Sequence, residues 1–527
     1  RSTLFPYTTL FRSTNVQTIL NNLRGDSTTN DDPLRIQANA GDLILMGNIT
    51  NRGSALIISG GSSSRYVALG GQVTGNPNIE IDSAQLRILE GASIDAVGGG
   101  IYVGNGTSTS TPAALLIADM NGGTTIGKII NVNAGDGLAN TRLLGALNTS
   151  GTNTFSGNIV RDATGNRTLT LAQTGGGTVD FDGVISGDHK VLIEGPGIVR
   201  FGGVNTYATN TEINSGQLHI KEGAVLSAAG ARVYVGNGGT TGTSAGLYIA
   251  DMNGGTTVGQ GIRVNPGQDS NRTIGGLNTS GTNTFSGAID MSGSGDRSAT
   301  LFAQAGGTVR FDGVISGGGG ITTAGGGVVD LRAANTYSGA TTVASGMLQA
   351  NNTTGSATGS GTVTVQSGGS LGGGGTILTS SLVVENGGSL APGGLQSLSI
   401  DLGSAGQARF DSGAYLTFSL TLAGVSDQIE FAGSGTITFN NNPIHFVDLT
   451  GGLLEPGATY DLFRISDEST VIGALVIGTG LEAYAGSTLS VESGVVRLQT
   501  NTIPEPSSMI LLGLGVGVIG VFRRRRL

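Results

Sequence analysis

The chain has 527 residues, 95 of them glycine and none cysteine or tryptophan, with 12% charged residues, a net charge of −9 and a pI near 4.9. Without cysteine there is neither a disulfide framework nor a thiolate metal site, and an acidic chain with no basic run before its C-terminus argues against nucleic acid as a partner. So much glycine raises the prospect of disorder, but 37% hydrophobic residues, mostly β-branched or leucine in alternating runs, point to packed strands.

Residues 1–13, RSTLFPYTTLFRS, fit nothing that follows and read as a non-native, adapter-like segment, which places any signal peptide upstream. Residues 14–85 hold strand-like pieces such as DLILMGNI and SALIISG between Gly, Asn and Ser turns, as expected for entry coils.

Two long repeats follow, over 86–217 and 218–347. The phrase TFSGNI carries Phe155, VDFDGVISG carries Phe181 and TYATNT carries Tyr207, each 26 residues after the last. Phe285, Phe311 and Tyr337 repeat the trio 130 residues on, five such steps. A chain that returns to one place at a fixed interval is most simply a coil of stacked rungs. With rungs about 4.8 Å apart, each trio is expected to form one internal stack of rings. Repeated hairpins in an antiparallel sheet accommodate the same phrases.

The two copies indicate which way side chains face. GIVRF at Gly197 matches GVVDL at Gly327, so Val199 and Phe201 stay apolar while Arg200 becomes Asp330. Alternate residues of a strand face opposite sides, so Arg200 and Asp330 are expected in solvent, as are Asp180 and Arg310, with Phe181 and Phe311 inside. Gly157, Gly183, Gly287, Gly313 and Gly339, two residues past an aromatic, suit tight corners.

Residues 348–395 are Gly/Ser-rich short strands. Residues 396–500 read as a closing β-domain, since a solenoid needs a cap on its last edge. The end of the chain, 503–527, changes character. Pro504, Glu505 and Pro506 lead into sixteen uncharged residues, 507–522, and then Arg523, Arg524, Arg525 and Arg526. As a helix that segment spans about 24 Å, short of the roughly 30 Å hydrocarbon core. It reads as a brief tail anchor with its basic end on the cytoplasmic side.

The tail IPEPSSMILLGLGVGVIGVFRRRRL resembles the PEP-CTERM sorting signal. The resemblance implies recognition of Pro504, Glu505 and Pro506 by an exosortase, a membrane protease-transferase, and removal of the apolar tail during export. The stretch Gly326 to Asn352 resembles the autotransporter-associated β-strand repeat, with Gly195 to Gln217 a weaker match. In known examples such repeats build parallel β-helices on bacterial surfaces. The chain departs from autotransporters in having no large alternating barrel region at its C-terminus.

Chemistry-bearing residues are few. His189, His219 and His445 show no metal-ligand spacing and read as surface or turn residues. Asp180 and Asp182 of DFDG read as exposed strand residues, because Arg310 replaces the first aspartate in the second copy. ADMNGG, with Asp119 and Asn121, or Asp251 and Asn253, begins like a calcium loop but lacks its later ligands and reads as a type I turn or bulge. Lysine occurs only at Lys128, Lys190 and Lys221.

These readings predict an all-β fold: a right-handed parallel β-helix with a C-terminal β-rich cap and a short C-terminal hydrophobic helix. The predicted function is that of an exported, non-catalytic, structural or adhesive protein of the cell surface or extracellular matrix. It has no catalytic, cofactor-binding or metal residues and needs no cofactor. Its expected partners are an exosortase-type enzyme, extracellular polysaccharide, and the inner membrane transiently through 507–522. The alternative is a carbohydrate-active β-helix enzyme, a polysaccharide lyase or glycosidase, which requires two carboxylates, or a carboxylate and a base, in one groove.

Overall fold

In a computed structural model, the chain is described over residues 16–501, together with the strand Thr3–Phe5. The description leaves out 26–32, 39–40, 61–64, 76, 95–97, 105–112, 134–140, 162–167, 189, 237–243, 267–271, 423, 451–453, 456, 467–468, 482–483 and 485. The described residues form an all-β parallel solenoid. They divide into two compact units, Arg1–Met252 with Val258–Ile274, and Asn253–Thr257 with Gly275–Leu527.

In the first unit the coils lay parallel strands on three faces. One face stacks Leu34–Ala38, Ala55–Gly60, Asn78–Ile81, Ile101–Val103, Ile130–Val132, Ile159–Arg161 and Ile185–Ser186. A second includes Tyr66–Leu69, Gln85–Ile88, Ala113–Ile117, Thr141–Ala146, Thr168–Gln173 and Lys190–Glu194. The third includes Thr125–Ile126, Thr152–Phe155, Thr178–Phe181, Ile198–Phe201, Gly216–Ile220 and Ala245–Ile249. Burial alternates along many of these strands, as in Ile198–Phe201, where Val199 and Phe201 are buried and their neighbours partly open, while Ala113–Ile117 is buried throughout. The apolar residue at every second position is what fills the lumen.

The coil length is not constant, and here the structure corrects the sequence reading. Thr152 pairs with Thr178, a step of 26, but Thr178 pairs with Ile198, a step of 20, and Ile198 with Gln217, a step of 19. Gly216 pairs with Ala245, a step of 29. Phe155 and Phe181 do stack, with ring centroids 5.0 Å apart and planes 3° from parallel. The next rung places Phe201 over Phe181, and then Ile220. Tyr207 does not join this stack. It lies six residues further round the same coil, fully buried, with its hydroxyl 2.6 Å from Thr211 Oγ1. The 26-residue spacing of Phe181 and Tyr207 therefore records one 20-residue coil plus a further six residues along the strand path.

The second unit repeats the arrangement. Phe285 and Phe311 stack at 5.3 Å and 11°, Leu331 and Ala350 continue their column, and Tyr337 sits apart with its hydroxyl 2.6 Å from Thr341 Oγ1. Toward its end the lumen holds a new aromatic cluster, in which Phe410 stacks on Phe439 at 4.8 Å and Phe463 lies against Phe418 and Phe431. One face, running Thr376–Leu378, Ser397–Asp401, Gln428–Ala432 and Thr459–Ile465, then reverses: Val495–Gln499 pairs antiparallel with Thr459–Ile465, and Thr488–Glu492 antiparallel with Val495–Gln499. That hairpin closes one sheet edge, while parallel pairing between coils continues past residue 396 as far as Leu475–Ile477.

The glycines two past the aromatics have a different job from the one their spacing suggests. None of Gly157, Gly183, Gly313 and Gly339 has a positive φ. A Cβ on Gly183 would instead sit within contact of the Gly157 carbonyl of the preceding coil, and one on Gly313 within contact of the Gly287 carbonyl. Close approach of successive coils, not turn geometry, demands glycine there.

Candidate functional surface on the outward strand faces

With the lumen filled by apolar residues, any function falls to side chains that point outward. On the third face of the first unit, strand register aligns Asp180, Arg200, His219 and Tyr248 on successive coils. Asp180 points outward as its place in the strand requires, yet it is only 5% exposed. This corrects the expectation that it lies in solvent. Arg200 grips it with both nitrogens, Nε to Oδ1 at 2.6 Å and Nη2 to Oδ2 at 3.0 Å, and Lys221 Nζ reaches Oδ2 at 3.2 Å and Asp182 Oδ1 at 2.8 Å. Rungs about 4.8 Å apart let long cations from later coils lie over the carboxylate and exclude water from it.

The second unit carries the ladder with signs exchanged. Arg310 and Asp330 are paired in register, and Arg310 Nη2 lies 3.0 Å from Asp312. Asp330, also buried against expectation, is held by Arg332 Nε at 2.8 Å and Asn351 Nδ2 at 2.8 Å. The Arg-to-Asp exchange between copies is thus a swap within a paired column.

Among the described residues, Asp180, Asp182 and Lys221 bring two carboxylates and a base together, as a glycosidase or lyase requires. Burial by itself lowers the Lys221 pKa, but hydrogen bonds and charge from Asp182 and Asp180 outweigh it and raise the value. A lysine held in its protonated form serves as a counter-ion rather than a base. The cluster acts as an ion-pair ladder.

His219 is also corrected: it lies in a strand, 6% exposed, rather than at a turn. Its Nε2 lies 2.7 Å from Gln217 Oε1 and its ring meets Tyr248 edge-on at 5.2 Å. Burial first, and the neighbouring Arg200 second, lower its pKa to about 4, against a smaller opposing effect of Asp180. His445 faces outward on Asn442–Asp448, with Nδ1 2.8 Å from Thr479 Oγ1. His189 lies outside the described residues.

Asp119 closes a turn, accepting from Asn121 N at 3.2 Å and from Thr124 Oγ1 at 2.9 Å, which commits both its oxygens to protein donors. Among the described residues no three His, Asp or Glu side chains are grouped to hold a metal. Sequence reasoning missed the buried amides. Asn148 and its counterpart Asn278, both fully buried, each donate from Nδ2 to three carbonyls at the coil corner. Their recurrence in LNTSG, at the same place in each copy, was the available signal.

Pro504, Glu505, Pro506, the segment 507–522 with its expected helix, and Arg523, Arg524, Arg525 and Arg526 lie outside the described residues. Among the described residues no helix is long and apolar enough to cross a membrane. Residues 502–526 match the PEP-CTERM protein-sorting motif. Over 189 residues, 34% of this chain, the sequence is 30% identical to the adhesin BmaC autotransporter of Brucella suis biovar 1 (strain 1330). The chain covers 5% of that protein's length. The chain is therefore an exported β-solenoid protein with a PEP-CTERM sorting signal at its C-terminus, and it is similar over a third of its length to an autotransporter adhesin.

Proposed function

We propose that the chain is a non-catalytic structural or adhesive protein of the cell surface or extracellular matrix. In this reading an exosortase-type enzyme recognises Pro504, Glu505 and Pro506 while 507–522 holds the chain transiently in the inner membrane, and the solenoid is then released outside. The observation that carries the reading is the combination of a C-terminal sorting motif with stacked coils whose lumen is filled and whose outward charges at Asp180, Asp182 and Asp330 are neutralised by cations of the same surface. Such a surface works by weak repeated contacts, whose strength comes from multivalency rather than from one deep site. Extracellular polysaccharide is the proposed partner, and the adhesin likeness supports a contact role at the surface.

The test is fractionation of native cells followed by mass spectrometry of the protein's C-terminus. The predicted surface or secreted form lacks Arg523 to Arg526. An intact arginine tail on protein confined to the cytosol contradicts the reading.

A further inference from the structure

The two copies differ at two outward positions of one strand, where the difference opens a cleft. In the first copy Ala113–Ile117 reads AALLI; in the second Ala245–Ile249 reads AGLYI, so Gly246 stands for Ala114 and Tyr248 for Leu116. The register is the same in both, with Gln85 opposite Ala114 and Gln217 opposite Gly246. In the first copy the place is closed. Ala114 and Leu116 are buried, and Arg87, bonded to Gln85 Oε1 at 3.1 Å, lies 3.7 Å over the ring of Tyr66 on the coil before.

In the second copy the place is open. The Tyr248 ring lies over Gly246, so close that a Cβ there would be 2.5 Å from ring atom Cε2. Its hydroxyl is bonded to the Thr273 side chain, and His219 packs edge-on against the ring. The ring is thus fixed at both ends, and it walls a cleft of about 510 Å³ lined also by Gln217, Ser244, Thr273 and Pro196. That volume falls within the range of small-ligand sites. Among the described residues the lining carries no charged side chain. Gln217 is oriented by the bond its Oε1 accepts from His219 Nε2.

We propose that this cleft is a subsite for a neutral saccharide. A pyranose presents an apolar C–H face on one side and hydroxyls around its rim. A fixed aromatic ring offers the π-face that takes the former, and the amide of Gln217 with the hydroxyls of Ser244 and Thr273 supplies donors and acceptors for the latter. Because the ring is pinned before binding, little side-chain entropy is lost on contact. The described lining residues are uncharged, which matches a neutral ring with hydroxyls at its rim. The proposal rests on the reading of the chain as a polysaccharide-contacting surface protein, and it names the contact.

Saturation-transfer difference NMR on the purified full chain tests it, with the neutral hexasaccharides cellohexaose, maltohexaose and mannohexaose as probes. At least one is expected to bind weakly. Tyr248→Leu, which installs the first copy's residue and so preserves the fold, is expected to weaken that binding at least tenfold with an unchanged melting curve. Gly246→Ala, which drives a methyl group into the ring, is expected to weaken it as well. Tyr234→Leu, on another face, should leave it unchanged. No binding of any of the three, or binding indifferent to Tyr248→Leu, overturns the proposal. Since the assay uses purified protein, its outcome is independent of where the cell places the chain, and cytosolic retention with an intact tail would refute the surface reading alone.

Discussion

His219 shows how an outward-facing side chain on a solenoid loses its solvent. Gln217 lies beside it, Tyr248 covers it from the following coil, and Arg200 and Asp180 come from the preceding ones. Its pKa is about 4 in the folded chain against an ordinary value of 6.5. Below pH 6.5 the unfolded chain therefore takes up a proton that the folded chain refuses, and stability falls as pH drops toward 4. By the usual conversion this amounts to at most about 3 kcal/mol. His219→Gln supplies the residue found at the corresponding Gln349, and should flatten that dependence. Melting measured from pH 7 to pH 4.5 checks it: equal loss of stability in both proteins would contradict the account. The sequence showed that His219 aligns with glutamine, but its burial depends on side chains 19 to 39 residues away.

At the scale of the element, the stacking of coils was largely legible and its step was not. Alternation marked Val199 and Phe201 as core, and the recurring phrase put Phe181 over Phe155. It could not show that the following coil spends only 20 residues, because the phrase at Tyr207 recurs at 26 for a different reason. Asp180 was rightly given an outward direction and wrongly given solvent, since burial on an outer face is decided by neighbouring coils. Each stacked ring contributes roughly 1.5–3 kcal/mol by burial and about 0.5–1.5 more through ring contact. The glycine column lets the backbones of successive coils approach closely. Gly183→Ala places a methyl group against the Gly157 carbonyl and should destabilise the coil by roughly 1–3 kcal/mol, as overpacking does. Limited proteolysis around 157–203 reads this directly, and an unchanged cleavage pattern would mean that the coils have slack.

For the whole molecule, the sorting tail was legible because a Pro-Glu-Pro motif, an apolar run and an arginine cluster are all local features. The Tyr248 cleft was legible only as a two-letter difference between copies, Gly246 for Ala114 and Tyr248 for Leu116, since what makes it a cleft is how the coils on either side meet those residues. The outward rows on which the proposed function depends exist only if successive coils keep the observed register. Thr322 and Thr342, outward and paired across adjacent coils, provide the direct test in a chain without native cysteine. Parallel strands at about 4.8 Å match the Cα separation a disulfide needs. In the double variant Thr322→Cys/Thr342→Cys, mild oxidation should close an intramolecular disulfide that raises the melting temperature. The offset pair Thr322→Cys/Leu348→Cys, spaced by 26, should stay reduced; a disulfide in the offset pair and none in the first would contradict the register.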